Sequence, residues 1–401
     1  MNALDFIKLI KQIYGSEKPD LGFIQDLGLL AIKIGQVHAL RIDLLDEKTC
    51  QELSKLYRKT QSVPGENLDA LIESYVGSDY LSKFRFFDKK PFASASIGQV
   101  HKAKLPDGRD VAVKVIKENF TKDFEKDVAS VIRLFKFAML FYPKLRGVAN
   151  PVALLRGIRK TTVAELNLQN EVAGHVQLDR IYQEHKNKFS LDKLAFVGLH
   201  EDLSNEHILV SDLLTGPTVD ELLEKGEFTY EQMLDLFHLQ GFFMFVIGTF
   251  HGDIHPGNIV YQDDKFYFLD TGYIGSVGEN LRRNLFRFFE HLSQYQYEQC
   301  AFYLNQMADT QISGDRYKTY EKKFITLYSD FDNATVSDIS LTKRMMQTIK
   351  LGVKSGMMFE EGMFDIIKSL MYMDGMVLRC NPDAVLMRDM RQYIDEFKQY
   401  V

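Results

Sequence analysis

What most constrains this chain is a fixed order of small motifs spread over much of its length. A loop of small residues, ASASIGQV at 93–100, precedes the turn Pro106-Asp107-Gly108 and the stretch DVAVKVIK. Residues 96–104 and 110–117 read as two strands of a hairpin. Alternate residues of a strand share a face, so Val111, Val113 and Val115 lie on one side and Ala112, Lys114 and Ile116 on the other. The lysine thus sits beside a small residue and faces away from the valines. Far downstream, HGDIHPGNIV carries Asp253 and, five residues on, Asn258. A second strand pair, NIVYQ and KFYFLD joined by Asp263-Asp264, then ends on Asp270 before Thr271 and Gly272.

Each piece has a chemical reading. A protein-kinase glycine loop reads G-x-G-x-x-G-x-V. Gly98 and Val100 hold its third glycine and valine, while Ala93 and Ala95 stand where the first two glycines would be. On this frame Ala93, Ser94, Ala95, Ser96, Ile97, Gly98, Val100 and Ala112 line a nucleotide, and Lys114 reaches its α- and β-phosphates. Asp253 orients the attacking hydroxyl or water, and Asn258 and Asp270 hold Mg²⁺. A buried lysine needs a counter-charge. In AELNLQNEVAGHV, Glu171 is the best-placed acid, on a helical segment with Asn167 one turn earlier. LVSDLLTGPTVDELL reads strand, linker, helix, with backbone groups near Leu213 and Leu214 placed to receive adenine. A zinc reading of His251 and His255 fails, because Gly252 and Pro256 forbid the regular helix it needs. Any one aspartate is more often a turn or cap residue. That reading must still explain loop, strand lysine, D-x-x-x-x-N and D-x-G in this order.

The rest of the chain suits a soluble protein with two or three packed units. Of 401 residues, 45% are hydrophobic and 26% charged. A net charge of −6 argues against a general nucleic-acid binder. Cys50, Cys300 and Cys380 lie far apart and form no C-x-x-C, as expected of a reducing cytoplasm. The beginning, MNALDFIKLIKQIYG, lacks a signal-peptide layout. The longest stretch without Asp, Glu, Lys or Arg, residues 236–252, contains His238, Gln240 and Gly241 and predicts a buried helix reaching Phe250. Residues 1–85 and those beyond about 279 are helical in pattern. Two apolar segments with basic neighbours, LDFIKLIKQIY (Leu4, Ile7, Ile10 and Tyr14 roughly on one side) and IRLFKFAMLFYPKLR, can lie in a bilayer interface or pack on the protein itself.

Two further motifs, Lys33-Ile34-Gly35-Gln36 and the alanine-rich ASASIGQV, give the set a family resemblance. Over about residues 20–280 the chain resembles the UbiB/AarF family of atypical protein-kinase-like ATPases. The resemblance implies an α+β, bilobal protein-kinase-like fold. Residues 1–85 would form an added N-terminal helical extension, 86–213 a small β-rich N-lobe with inserted helices, and 214–401 a helical C-lobe. It implies that the K-x-G-Q helix folds over the face where a protein substrate would dock. Lys33 and Gln36, with Glu165 and Asn167 of the family's E-x-D position, would then occlude the site, Lys33 pairing with Glu165. Asn167 stands where the family has aspartate. Alanine lacks the φ > 0 conformations open to glycine, so the loop is stiffened. Gly252 replaces the arginine of H-R-D and Thr271 the middle residue of D-F-G, which removes arginine-mediated control through an activation loop. ATP and Mg²⁺ are the implied cofactors, and a lipid or quinone precursor the implied ligand. The implied place is the cytoplasm with peripheral contact at the inner face of a membrane, without nucleic acid. HGDIHPGN also resembles the catalytic loop of aminoglycoside and choline kinases, which lack Lys33–Gln36 and ASASIGQV. A non-catalytic, nucleotide-binding lipid chaperone is the third alternative.

Overall fold

The computed structural model describes residues 1–16, 18–39, 45–57, 65–94, 97–117, 121–141, 151–359 and 362–401. They form two compact units: residues 1–176 with 197–215, and residues 177–196 with 216–401.

The first unit opens on helices α1 (Ala3–Gly15), α2 (Leu21–Asp26), α3 (Leu29–Ala39), α4 (Glu47–Ser54) and α5 (Gly65–Val76). Asn2 and Asp20 cap α1 and α2 by accepting the N–H groups of Asp5 and Phe23. Phe6, Leu9 and Ile13 bury one stripe of α1. Of the predicted interfacial face, Leu4, Ile7 and Tyr14 remain 70%, 51% and 48% exposed, whereas Ile10 packs against the helical core. Helix α3 is buried almost all round. A Cβ at Gly35 would lie 2.5 Å from Leu56 Cδ1, so glycine is what lets this helix approach the following turn. Gln36 Nε2 donates to the Leu56 carbonyl at 3.0 Å. Half of the K-x-G-Q motif therefore serves to dock its own helix.

Strands β1 (Phe86–Phe87), β2 (Ala93–Ser94), β3 (Gly98–Lys104) and β4 (Asp110–Ile116) follow. Helices α6 (Thr121–Phe141), α7 (Pro151–Glu165) and α8 (Leu168–His185) come next, and then β5 (Leu194–Ala195) and β6 (Ile208–Asp212). The antiparallel sheet runs β1-β3-β4-β6, with β2 also paired to β3. Val111, Val113 and Val115 are fully buried with Ile208 and Val210 against Leu68 and Ile72 of α5. On the opposite face, Ile97, Ile116 and Leu209 join the apolar cluster of α1, α3, α6, α7 and the start of α8. The second apolar segment enters this cluster through Ile132, Leu134 and Phe135, and its residues 142–146 lie outside the described ones.

The second unit takes the end of α8, β5, α9 (Val219–Lys225) and α10 (Tyr230–Gly241). The helix expected to reach Phe250 stops short. After Gly241 it widens into a π turn over Phe242–Ile247, and Phe250 lies on strand β7 (Thr249–His251). Gly248, at φ +82°, ends the turn in a conformation suited to glycine. Arg282 Nη1 donates to the freed carbonyls of Phe245 and Val246 at 2.8 and 2.9 Å. β8 (Ile259–Gln262) and β9 (Lys265–Phe268) form the expected hairpin, and β5 adds in parallel to β9. Asp263 and Asp264, at φ 52° and 62°, make its two-residue turn. β10 (Ile274–Ser276) pairs with β7. Helices α11 (Glu279–Ser293), α12 (Tyr297–Met307), α13 (Gly314–Leu327), α14 (Leu341–Ser355), α15 (Gly362–Cys380), α16 (Leu386–Asp389) and α17 (Arg391–Phe397) complete the unit. Among the described residues no helix is long and apolar enough to cross a membrane.

Candidate active site

In the first unit, strand register sets the geometry around Lys114. Gly98 faces Ile116, and Val100 faces Lys114. A Cβ on Gly98 would sit a tight 3.3 Å from the Val115 carbonyl and in ordinary contact, 3.7 Å, with Lys114 Cγ and Cε, so this glycine eases the close approach of β3 to the β4 backbone. Lys114 Nζ donates to Glu171 Oε2 at 2.6 Å, with the two side chains only 14% and 12% exposed. Glu171 lies in the first turn of α8, where a carboxylate also complements the helix dipole. The alanine-rich loop is a hairpin in which Ala93 pairs with Val100 and Ser94 with Gln99. Ala95 and Ser96 lie outside the described residues. Ile97 anchors the loop in the helical core, and its carbonyl accepts the Lys117 N–H at 2.9 Å. Behind it, buried Gln99 donates to His101 Nε2 at 2.9 Å, and His101 Nδ1 donates to the Asp88 carbonyl at 2.8 Å. Burial pushes His101 below its ordinary range, consistent with a neutral ring in this chain of bonds. Apolar anchoring and this buried network hold Ile97 and β3, where the chain leaves the loop.

Lys33 and Glu165 form an ion pair from α3 to the end of α7. Asn167 accepts the Gln169 N–H at 3.0 Å and so caps the start of α8. Ala112 is half-buried on β4. At the expected hinge, the Leu213 N–H donates to the Asp110 carbonyl at 3.2 Å, and Leu214 follows it in the linker.

In the second unit, residues 251–258 form a loop held from several sides. His251 Nε2 donates to the Leu269 carbonyl at 2.8 Å, while its Nδ1 accepts the Asp253 N–H at 3.1 Å. His255 Nδ1 accepts the Gly257 N–H at 3.1 Å. Burial lowers the pKa of both rings, so both are neutral at pH 7. Both histidines thereby hold the backbone of the loop. A side chain at Gly252 would collide with the Tyr273 ring, whose Cδ1 lies 2.5 Å from an added Cβ, which explains why no arginine stands here. Asn258 Nδ2 donates to the Asp253 carbonyl at 3.1 Å, and the Leu269 N–H donates to the Asn258 carbonyl at 2.8 Å. Asn258 is thereby tied to the strand end preceding Asp270. Asp270 itself has φ +53°, a costly conformation for a residue with a Cβ and one that clusters at functional sites.

These residues fit Mg²⁺. An amide oxygen and a carboxylate on joined backbone segments are hard donors, and Mg²⁺ is commonly bound by one or two such groups plus phosphate oxygens. Among the described residues no group of three or more His, Cys, Asp or Glu forms a metal cage.

The ABC1 atypical kinase-like domain matches residues 55–304. The chain belongs to this atypical kinase-like family. Relatives called "Probable protein kinase UbiB" include one from Aliivibrio fischeri, 30% identical over 66% of this chain and 50% of its own length. Another, from Pseudomonas paraeruginosa, is 32% identical over 67% of this chain and 51% of its own. A third, from Pseudomonas fluorescens, is 27% identical over 93% of this chain and 70% of its own. The chain thus spans about half the length of the first two. The solved Rv3197–erythromycin complex from Mycobacterium tuberculosis aligns with 89% of this chain and 93% of its own, at TM-score 0.52 and 19% identity. At that identity it shows likeness of fold alone; together with the family match, the fold is α+β and kinase-like.

Sequence reasoning missed three residues of α15. Tyr372 OH and Lys368 Nζ both reach Asp253 Oδ1, at 3.0 and 2.7 Å, and Tyr273 OH donates to Asp365 Oδ1 at 2.6 Å. Their spacing, i, i+3 and i+7, is that of any helix face and carries no mark of the loop it meets.

Proposed function

We propose that this chain binds Mg·ATP and either hydrolyses it or transfers its terminal phosphate to a small or lipidic acceptor, in support of isoprenoid-quinone synthesis at a membrane surface. The observation that carries the reading is the Lys114–Glu171 pair. A largely buried ion pair contributes little stability that apolar residues would not match. Holding a lysine for phosphate is the reason to keep one here. Lys114 binds the α- and β-phosphates and Glu171 fixes its direction. Asn258 and Asp270 would hold Mg²⁺, which supplies charge neutralisation at the phosphates. Asp253 orients the attacking hydroxyl or water and takes its proton as the new O–P bond forms; the bond to the bridging oxygen breaks and ADP leaves with the electron pair. The tethered alanine-rich loop and the Lys33–Glu165 pair support a restricted site, better suited to small acceptors than to protein substrates.

The test is ATP turnover with and without anionic liposomes and a phenolic quinone-precursor analogue, beside parallel assays with aminoglycosides and choline. Turnover stimulated by lipid with no amine product is expected. A phosphorylated amine would establish the small-molecule kinase alternative, and nucleotide binding without turnover the chaperone alternative.

A further inference from the structure

The loop 251–258 brings no cation of its own to the proposed chemistry: its two histidines are neutral, and Asp253 is its acid. A cation arrives from α15. Lys368 Nζ lies 2.7 Å from Asp253 Oδ1, with the two side chains 19% and 20% exposed. Its ammonium also lies 5.6 Å from the ring centre of Tyr273 and 5.8 Å from that of Tyr372, within reach of both quadrupoles. One turn on, the Tyr372 hydroxyl donates to the same Oδ1 at 3.0 Å. One turn earlier, Asp365 accepts from the Tyr273 hydroxyl and ties the D-x-G segment to the same helix face. Buried Gln240 adds a further tie to α15. Its Nε2 donates to Ser369 Oγ at 2.9 Å and to the His251 carbonyl at 3.2 Å.

A lone surface ion pair would mean little. Here a caged ammonium and a phenol converge on one oxygen of the residue that orients the nucleophile. We propose that Lys368 is a positioning residue for Asp253, with Tyr372 as its partner. Together they fix the carboxylate plane, so that Asp253 meets the acceptor hydroxyl without a rotational search. This rests on the function proposed above.

The experiment compares full-length wild type with Lys368→Met, Lys368→Arg, Lys368→Ala and Tyr372→Phe, measuring kcat, ATP affinity and thermal unfolding. Lys368→Met is expected to lower kcat about 100-fold, the cost of a misplaced catalytic group, with ATP affinity and melting nearly unchanged. Lys368→Arg should recover part of the loss, and added ethylamine should recover part of it in Lys368→Ala. Tyr372→Phe, which keeps the ring, should lower kcat several-fold. A Lys368→Met protein with wild-type kcat would overturn the inference. So would a loss accompanied by collapsed melting, with neither Arg nor ethylamine restoring activity and Tyr372→Phe at wild-type kcat. If wild type turns over and Asp253→Asn does not, such a failure belongs to Lys368 alone. No turnover in wild type, or full turnover in Asp253→Asn, would overturn both readings.

Discussion

Lys114 and Lys117, three residues apart, illustrate two fates of a lysine near a site. Lys114 has an acid at 2.6 Å that fixes its direction. Replacing Glu171 with glutamine leaves that lysine without its charged hydrogen bond, worth roughly 1.5–3 kcal/mol. ATP affinity, read by calorimetric titration, is expected to fall about 10- to 100-fold while the fold survives; unchanged affinity would separate Glu171 from the site. Lys117 is buried, and desolvation pushes its amine down to about 8 from 10.5. Between those values the unfolded chain binds the proton more readily, so stability rises with pH across that window, and below it the full penalty applies. Stability read by urea denaturation is expected to rise between about pH 8 and pH 10 as this amine loses its proton; a flat profile over that window would contradict the assignment.

At the scale of elements, what could be read from sequence was local. β3 and β4 announce themselves by alternation and by the Pro106-Asp107-Gly108 turn, and the β8–β9 hairpin by Asp263-Asp264. The loop holding Asp253 and Asn258 was legible because its spacing is chemical. The π turn was not, since its apolar run continues the helical pattern while its end depends on Gly248 and on Arg282, far downstream. Lys368 and Tyr372 were illegible for the same reason: only folding brings α15 to Asp253. The loop also has a pH signature. His251 and His255 are held neutral, below the usual histidine range, so their contribution is complete above about pH 6.5 and is lost as pH falls through and below it. The melting temperature is expected to drop between pH 7 and 5, ahead of carboxylate titration. A flat profile over that range would contradict buried, neutral rings.

For the molecule as a whole, the kinase-like parts are divided between two units, with loop and lysine in the first and the aspartates in the second. Among the described residues, α1 carries a surface whose composition suits peripheral membrane contact. Leu4, Ile7 and Tyr14 stay exposed on α1 beside exposed Lys8 and Lys11, although another face of the helix is fully packed. Flotation with anionic liposomes is expected, and Leu4→Glu with Ile7→Glu should abolish it without lowering thermal stability; equal flotation of that variant would remove α1 from the interface. The central claim is phosphoryl chemistry at Asp253, and the most direct measurement is Mg²⁺-dependent ATP turnover by wild type and Asp253→Asn, with nucleotide affinity determined in both. Turnover in the wild type, a loss of at least about 100-fold in the variant and similar affinities are expected for a residue that orients the nucleophile. Equal turnover in the two proteins would contradict it.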